Sequence, residues 1–146
     1  MQKKILAVLT GLLTMTTAVC SATVSTASIA LDGVSPGSSV AAAKQKLGTP
    51  TQNGDKLFFP NGIVVEIADH NPDVIEEITT RSAGATPAGV HVGMNESILA
   101  ETYGSADKID REHDDTEYTY YSTDNTQKLE FKVVNGKIVK IKCELR

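Results

Sequence analysis

The feature that most constrains this chain is a pattern of glycines that occurs twice. Gly33-Val34, Gly37 and Gly48 recur as Gly89-Val90, Gly93 and Gly104, each later glycine standing 56 positions after its counterpart. A constant offset over three positions marks an internal duplication, so an element assigned in one copy must have an equivalent in the other. Between the second and third glycine each copy has a helical pattern. Val40, Ala43 and Leu47 fall at i, i+3 and i+7, and Ile98, Leu99 and Tyr103 cluster in the same way, which is the spacing of one apolar helix face. Ser39 and Asn95, two residues after a glycine, are of the type that caps a helix N-terminus. Gly48 and Gly104 suit the left-handed residue that ends a helix, and Pro50 reinforces the stop. A helix of about eight residues is too short to stand alone and must lie on a sheet.

Each copy supplies strands. In the first, Lys56 to Phe59 and Ile63 to Ala68 flank the turn Pro60-Asn61-Gly62, and Val74 to Thr79 follows the turn cluster Asp69 to Asp73. In the second, Glu117 to Tyr121 and Gln127 to Val134 flank a Ser-Thr-Asp-Asn loop, and Asn135-Gly136 turns the chain into Lys137 to Leu145. Leu129, Phe131 and Val133 alternate with Lys128, Glu130 and Lys132. Val139, Ile141, Cys143 and Leu145 alternate with Lys140, Lys142 and Glu144. Period two means one buried face and one wet face, the signature of an antiparallel sheet covered on one side. The expected fold is therefore α+β, two tandem helix-plus-antiparallel-β-meander units with the helices on one face of the sheets. The expected boundaries are a first unit over 28–81, a Ser/Gly/Thr/Pro linker over 82–88 and a second unit over 89–146. Whether the two sheets are continuous is open at this level.

Residues 1–27 read as a secretory signal peptide. Lys3-Lys4 gives the positive end, Ile5 to Leu13 a short apolar run, and small residues follow through Ala22 and Ala27, either of which suits cleavage. The run is too short for a membrane span, and no later segment is apolar enough for one. The expected location is the periplasm or the extracellular space. Thr17 and Val19 fit a lipoprotein signal poorly, so no lipid anchor is expected at Cys20. Without the leader, Cys143 is the sole cysteine, which rules out an intrachain disulfide. The leader also takes two of the 14 basic residues, leaving 12 against 18 acids. That balance argues against a nucleic-acid partner, which demands a concentrated basic surface.

The segment Val92-Gly93-Met94-Asn95 through Tyr103-Gly104, with Phe131 to Ile141, resembles the small envelope-protein superfamily of the SmpA/OmlA outer-membrane assembly lipoproteins and the tandem-repeat β-lactamase inhibitor proteins. Gly37 to Gly48-Thr49-Pro50 is the weaker copy. The resemblance implies a duplicated helix-and-meander fold and a binding role, as inhibitor or assembly factor. It carries no functional residue across, because the matching positions are glycines, a cap and an apolar stripe. The tandem inhibitors are rich in aromatics, including Trp, and stapled by disulfides. This chain has no Trp.

Candidate chemistry is sparse. Glu112-His113-Asp114-Asp115, near Asp107 and Asp110, is the densest polar cluster, but it has neither the ligand ladder of a calcium loop nor a paired-histidine zinc motif. His70, His91 and His113 share no spacing, and no Gly-x-Ser-x-Gly elbow exists. No catalytic, metal or cofactor residues are therefore assigned. The aromatics are more informative. On one strand Tyr118 and Tyr120 share a face and Tyr121 takes the other, so one set lies opposite the core unless something covers it. The face carrying Tyr121, or the Tyr118/Tyr120 pair, rimmed by Lys128, Lys132, Lys140 and Lys142, is the candidate contact surface, with Tyr118, Tyr120, Tyr121, Lys132 and Lys140 as its residues. The expected function is an exported, non-enzymatic module that binds a protein partner. The competing readings are an outer-membrane assembly accessory lipoprotein and a small metal-dependent hydrolase using Glu112 to Asp115.

Overall fold

A computed structural model describes residues 24–146. Lys3-Lys4, the Ile5–Leu13 run, Cys20 and Ala22 lie outside the described residues. Eight strands are present, β1 Thr51–Asn53, β2 Lys56–Phe58, β3 Ile63–Ala68, β4 Asn71–Thr80, β5 Lys108–Arg111, β6 Asp115–Tyr121, β7 Gln127–Val134 and β8 Lys137–Leu145. They form one antiparallel sheet in the order β1-β2-β3-β4-β8-β7-β6-β5. Period-two alternation sets its two faces. Leu57, Val65, Ile78, Cys143, Leu129 and Tyr120 are cross-strand partners in turn, a single row over six strands, and all are buried. Partners in a sheet point the same way, so that row defines the covered side.

This arrangement corrects the α+β expectation of two helix-plus-meander units. The chain is mostly β, with two short helices, α1 Val40–Leu47 and α2 Ser97–Tyr103. Its strands make a single sheet because β4 and β8 pair from Glu77–Glu144 to Thr80–Ile141. Two separate meanders would each leave the ladder groups of a hydrophobic strand unpaired, and zipping β4 to β8 satisfies both edges at once. The same pairing merges the interior, since Ile75 and Ile78 share one core with Ile138, Ile141 and Cys143. Alternation specifies which side chains turn inward except at Val139, expected on the apolar side, where a register shift opposite Lys132 and Val133 buries Ile138 instead. Alternation does not specify which strand lies next door.

The strands β1 and β5 have no counterpart in the sequence-based expectation. Thr51-Gln52-Asn53 carries no apolar residue, and in Lys108-Ile109-Asp110-Arg111 the one apolar side chain is 41% exposed. They end the sheet on both sides, where short polar strands discourage pairing with other chains. The hairpin loop after β3 is also shorter than expected, because β4 already begins at Asn71.

The helical segments recur as the glycines do. Gly37 N–H donates to Ile75 O at 2.7 Å and Gly93 N–H to Ile138 O at 2.8 Å, while Ser38 O and Met94 O accept from the same two isoleucines. Each helix lead-in is thereby tied to β4 or β8. Ser39 caps α1 as expected, its Oγ accepting from Ala42 N–H at 3.1 Å. Asn95 does not cap α2. It bridges Lys137 instead, and the residue before the helix is Glu96, which makes no side-chain cap bond. Gly48 and Gly104 end the helices at φ of 93° and 76°, a region costly for any residue with a Cβ.

The covered face is completed by the segment ahead of α1. Val24, Ile29 and Leu31 are buried in the common core. Val24 bridges Ser122 in parallel, and its carbonyl accepts from Thr123 N–H at 3.0 Å. The Asp32 carboxylate accepts from Ala85 N–H at 2.9 Å and from Asn61 Nδ2 at 3.2 Å, which pins the 82–88 connector. Cys143 is fully buried, and burial pushes its thiol well above the ordinary range, leaving almost no thiolate to react. Among the described residues, no helix is long and apolar enough to cross a membrane.

Candidate functional site

The face opposite the core is built from the polar half of the alternation. One row across it runs Lys56, Glu66, Glu77, Glu144, Lys128, Tyr121, and the next runs Phe58, Val64, Thr79, Lys142, Glu130, Thr119, Lys108, all cross-strand partners in turn. Neither helix lies on this side. Because β4 sits beside β8, Glu77 joins charges from the other half of the chain. Lys142 Nζ lies 2.7 Å from both Glu130 Oε2 and Glu144 Oε2, and 3.8 Å from Glu77 Oε2. Lys128 Nζ reaches Glu130 Oε1 at 3.2 Å and Glu144 Oε2 at 3.1 Å. The Glu130 side chain is only 9% exposed, so these contacts are shielded and stronger than ordinary surface pairs.

The electrostatics follow from that packing. Burial alone would raise the Glu144 carboxyl, but hydrogen bonds from Lys142 and Lys128 outweigh it and hold the group below its usual range. Burial likewise opposes charge on Lys142 and Lys128, and their carboxylate partners overcome it, raising both. At neutral pH all three are fixed as ions. The result is a rigid lattice of opposite charges in the middle of the face, fringed by Phe58, 43% exposed, and by Tyr121, over whose ring the Arg146 guanidinium stacks at 4.2 Å.

The five residues assigned from the sequence do not all share this face. Tyr121 and Lys132 lie on it, and so does Lys140, the cross-strand partner of Lys132. Lys132 is tied to Asp115 at 2.6 Å. Tyr118 and Tyr120 lie on the covered side. Tyr120 is 1% exposed and packs with Tyr103 and Phe131, at centroid distances of 5.4 and 6.1 Å, so it is inaccessible to a partner. Burial, then the neighbouring Tyr118, Tyr103 and Asp107, push its hydroxyl up to about 12. Tyr118 is part-buried, and its hydroxyl donates to Glu96 Oε2 at 3.2 Å. These two tyrosines line a groove of about 460 Å³ with Leu99, Ala100 and Ile109 between α2 and β5–β6. The carboxylates Glu77, Glu130 and Glu144 were absent from the sequence-derived set. Their alternation with lysines was visible, but the β4–β8 neighbourhood that assembles them was not.

The acidic cluster Glu112 to Asp115 is a tight hairpin turn between β5 and β6, with Glu112 and Asp115 exchanging backbone hydrogen bonds. Asp115 is taken by Lys132. Among the described residues, no three His, Cys, Asp or Glu side chains converge where they could hold a metal ion. His91 Nδ1 lies 2.9 Å from Val92 O, and His70 stands in the β3–β4 turn, remote in sequence from both other histidines.

No protein-family model matches the chain, and no curated protein matches it. Among solved structures it is similar to a DUF4309 family protein, YjgB, from Bacillus subtilis, with a TM-score of 0.52 over 77% of this chain and 82% of that chain, at 13% sequence identity. Likeness at that identity shows a shared fold and carries no activity across.

Proposed function

We propose that the protein is an exported, non-enzymatic module that presents the uncovered face of its sheet to a protein partner, acting as an inhibitor or assembly factor. One observation carries this reading. A broad face left free by both helices holds its long charged side chains in place through the Lys128–Glu130–Lys142–Glu144 lattice. Side chains already ordered cost little entropy when a partner docks, and the flanking Tyr121 and Phe58 supply apolar contact area.

Site-directed photo-crosslinking tests the reading. A photoreactive side chain replacing Tyr121 should yield an adduct of defined mass in envelope fractions, whereas the same probe replacing Gln45, exposed on α1, should yield none. Equal adducts from both positions, or none from Tyr121, would remove it.

The export half of the proposal rests on the leader composition. Of the two candidate cleavage positions, Ala22 is the one consistent with the packing, since cleavage after Ala27 would discard the buried Val24 and its bridge to Ser122. The mature protein is therefore expected to begin at Thr23. Intact-mass measurement checks this, and a chain starting at Ser28 would contradict it.

A further inference from the structure

Seven strand lysines stand on the uncovered face, and five of them have a carboxylate of this protein at hand. Lys56 pairs with Glu66, Lys108 with Asp110, Lys128 with Glu130 and Glu144, Lys132 with Asp115, and Lys142 with three glutamates. Lys137 and Lys140 are the exceptions; Lys137 is exposed at the start of β8, whereas Lys140 is part-buried in the middle of the face. Among the described residues, no carboxylate oxygen lies within 4.0 Å of its Nζ. Its cross-strand partner on β7 is Lys132. The β4–β8 register ends at Thr80 and Ile141, and its continuation past the end of β4 sets exposed Arg81 beside Lys140. Three cations thus stand in one row, and the row continues through Glu117, the partner of Lys132, to Asp110.

Burial, then repulsion from Lys142, lowers the Lys140 ammonium from its ordinary value; Glu77 opposes the shift, Arg81 adds to it and Glu117 opposes it. A part-buried cation with like charges beside it is a local cost in the free protein, and an anion placed against it relieves that cost. Neighbouring strands lie about 4.8 Å apart, so the three cations span roughly 10 Å in a line. A compact inorganic ion needs donors that converge on one point. A line of cations instead suits carboxylates set out along an extended chain, whose same-face side chains repeat about every 7 Å.

Resting on the docking reading above, we propose that Lys140, between Arg81 and Lys132, is where the uncovered face captures an acidic segment of its protein partner. The Glu117 and Asp110 end of the row fixes direction, because a basic residue following the acidic ones falls opposite these two carboxylates.

The test uses the mature protein and a fluorescently labelled, end-capped peptide of alternating Glu and Thr, followed by anisotropy. The peptide should bind wild type, and Lys140→Gln should weaken it by about fivefold or more, the loss of one charge-assisted contact. Arg81→Gln, at an exposed residue, should weaken it in the same direction, and serves if Lys140→Gln fails to fold. Lys44→Gln, on exposed α1, should leave it unchanged. No binding to wild type, affinity unchanged in both Lys140→Gln and Arg81→Gln, or an equal loss in Lys44→Gln would overturn the proposal. So would full displacement of the peptide by millimolar inorganic phosphate, which would mark a small-anion site. A Tyr121 adduct together with unchanged peptide affinity in both variants would sink this inference and leave the docking reading standing. Failure of the adduct would sink the docking reading itself.

Discussion

Lys142→Ala should destabilise the protein by about 3 kcal/mol, because it leaves the buried Glu130 carboxylate without its closest counter-charge. The estimate sits at the low end for breaking a shielded pair, since Lys128 still reaches Glu130 at 3.2 Å. For a chain of this size the melting temperature should fall by roughly 10 °C. The double variant Lys142→Met, Glu130→Leu should recover most of that loss, to within about 1 kcal/mol of wild type, since replacing both charges removes the stranded one. A double variant no more stable than Lys142→Ala would mean that the lattice does not act as a paired unit. The pH dependence has two limits. Glu144 lies below its ordinary 4.5 when folded, so its contribution is complete above that value and fades as pH falls through the folded one. Lys142 and Lys128 lie above their ordinary 10.5, so theirs is complete below that value and fades as pH rises through the folded ones. Urea unfolding across pH should show a plateau between these limits, and Lys142→Ala should flatten both flanks.

Phe131→Ala should be costlier still, at about 3–5 kcal/mol. Phe131 is fully buried, 5.5 Å from the Tyr103 ring on α2 and edge-on to Tyr120 at 6.1 Å. Removing it undercuts the packing of α2 on the sheet and the Tyr103 hydroxyl that meets Thr86 at 2.7 Å. Tyr121→Ala, only a few residues from Tyr118 and Tyr120 in sequence, should cost less than about 1 kcal/mol, the stacking with Arg146. Chemical denaturation of the two variants separates the faces. Equal losses would mean that the tyrosine side of β6 is misassigned.

The limits of sequence reasoning are clearest at β4 and β8. A strand at β4 could be read from the turn cluster ahead of Val74, and β8, with the inward turn of Ile141 and Cys143, from its alternation. Their mutual pairing could not, because cross-strand choice depends on which free edges remain once the local hairpins have formed. That missing contact changed the fold class, and it also hid Glu77 from the candidate surface. The edge strands were illegible for a different reason. Thr51–Asn53 and Lys108–Arg111 are paired to the sheet through their backbone ladders, and backbone pairing leaves no hydrophobic period to read. For the tyrosines, periodicity separated Tyr121 from Tyr118 and Tyr120 correctly. It could not say which side the helices would cover.

The central seam also sets the order in which the molecule can be made. β8 is the last of the described strands, yet it lies fourth from one edge of the sheet, and its partner β4 is some sixty residues earlier. The bridge from Val24 to Ser122 spans still more of the chain. Contacts this distant must meet their loop-closure entropy before any burial repays it, which predicts slow folding with a late transition. A growing chain therefore stays without a finished core until the residues of β8 emerge. Loss of those residues would strip the middle of the sheet rather than a margin, baring β4 and β7 as two long sticky edges prone to aggregation.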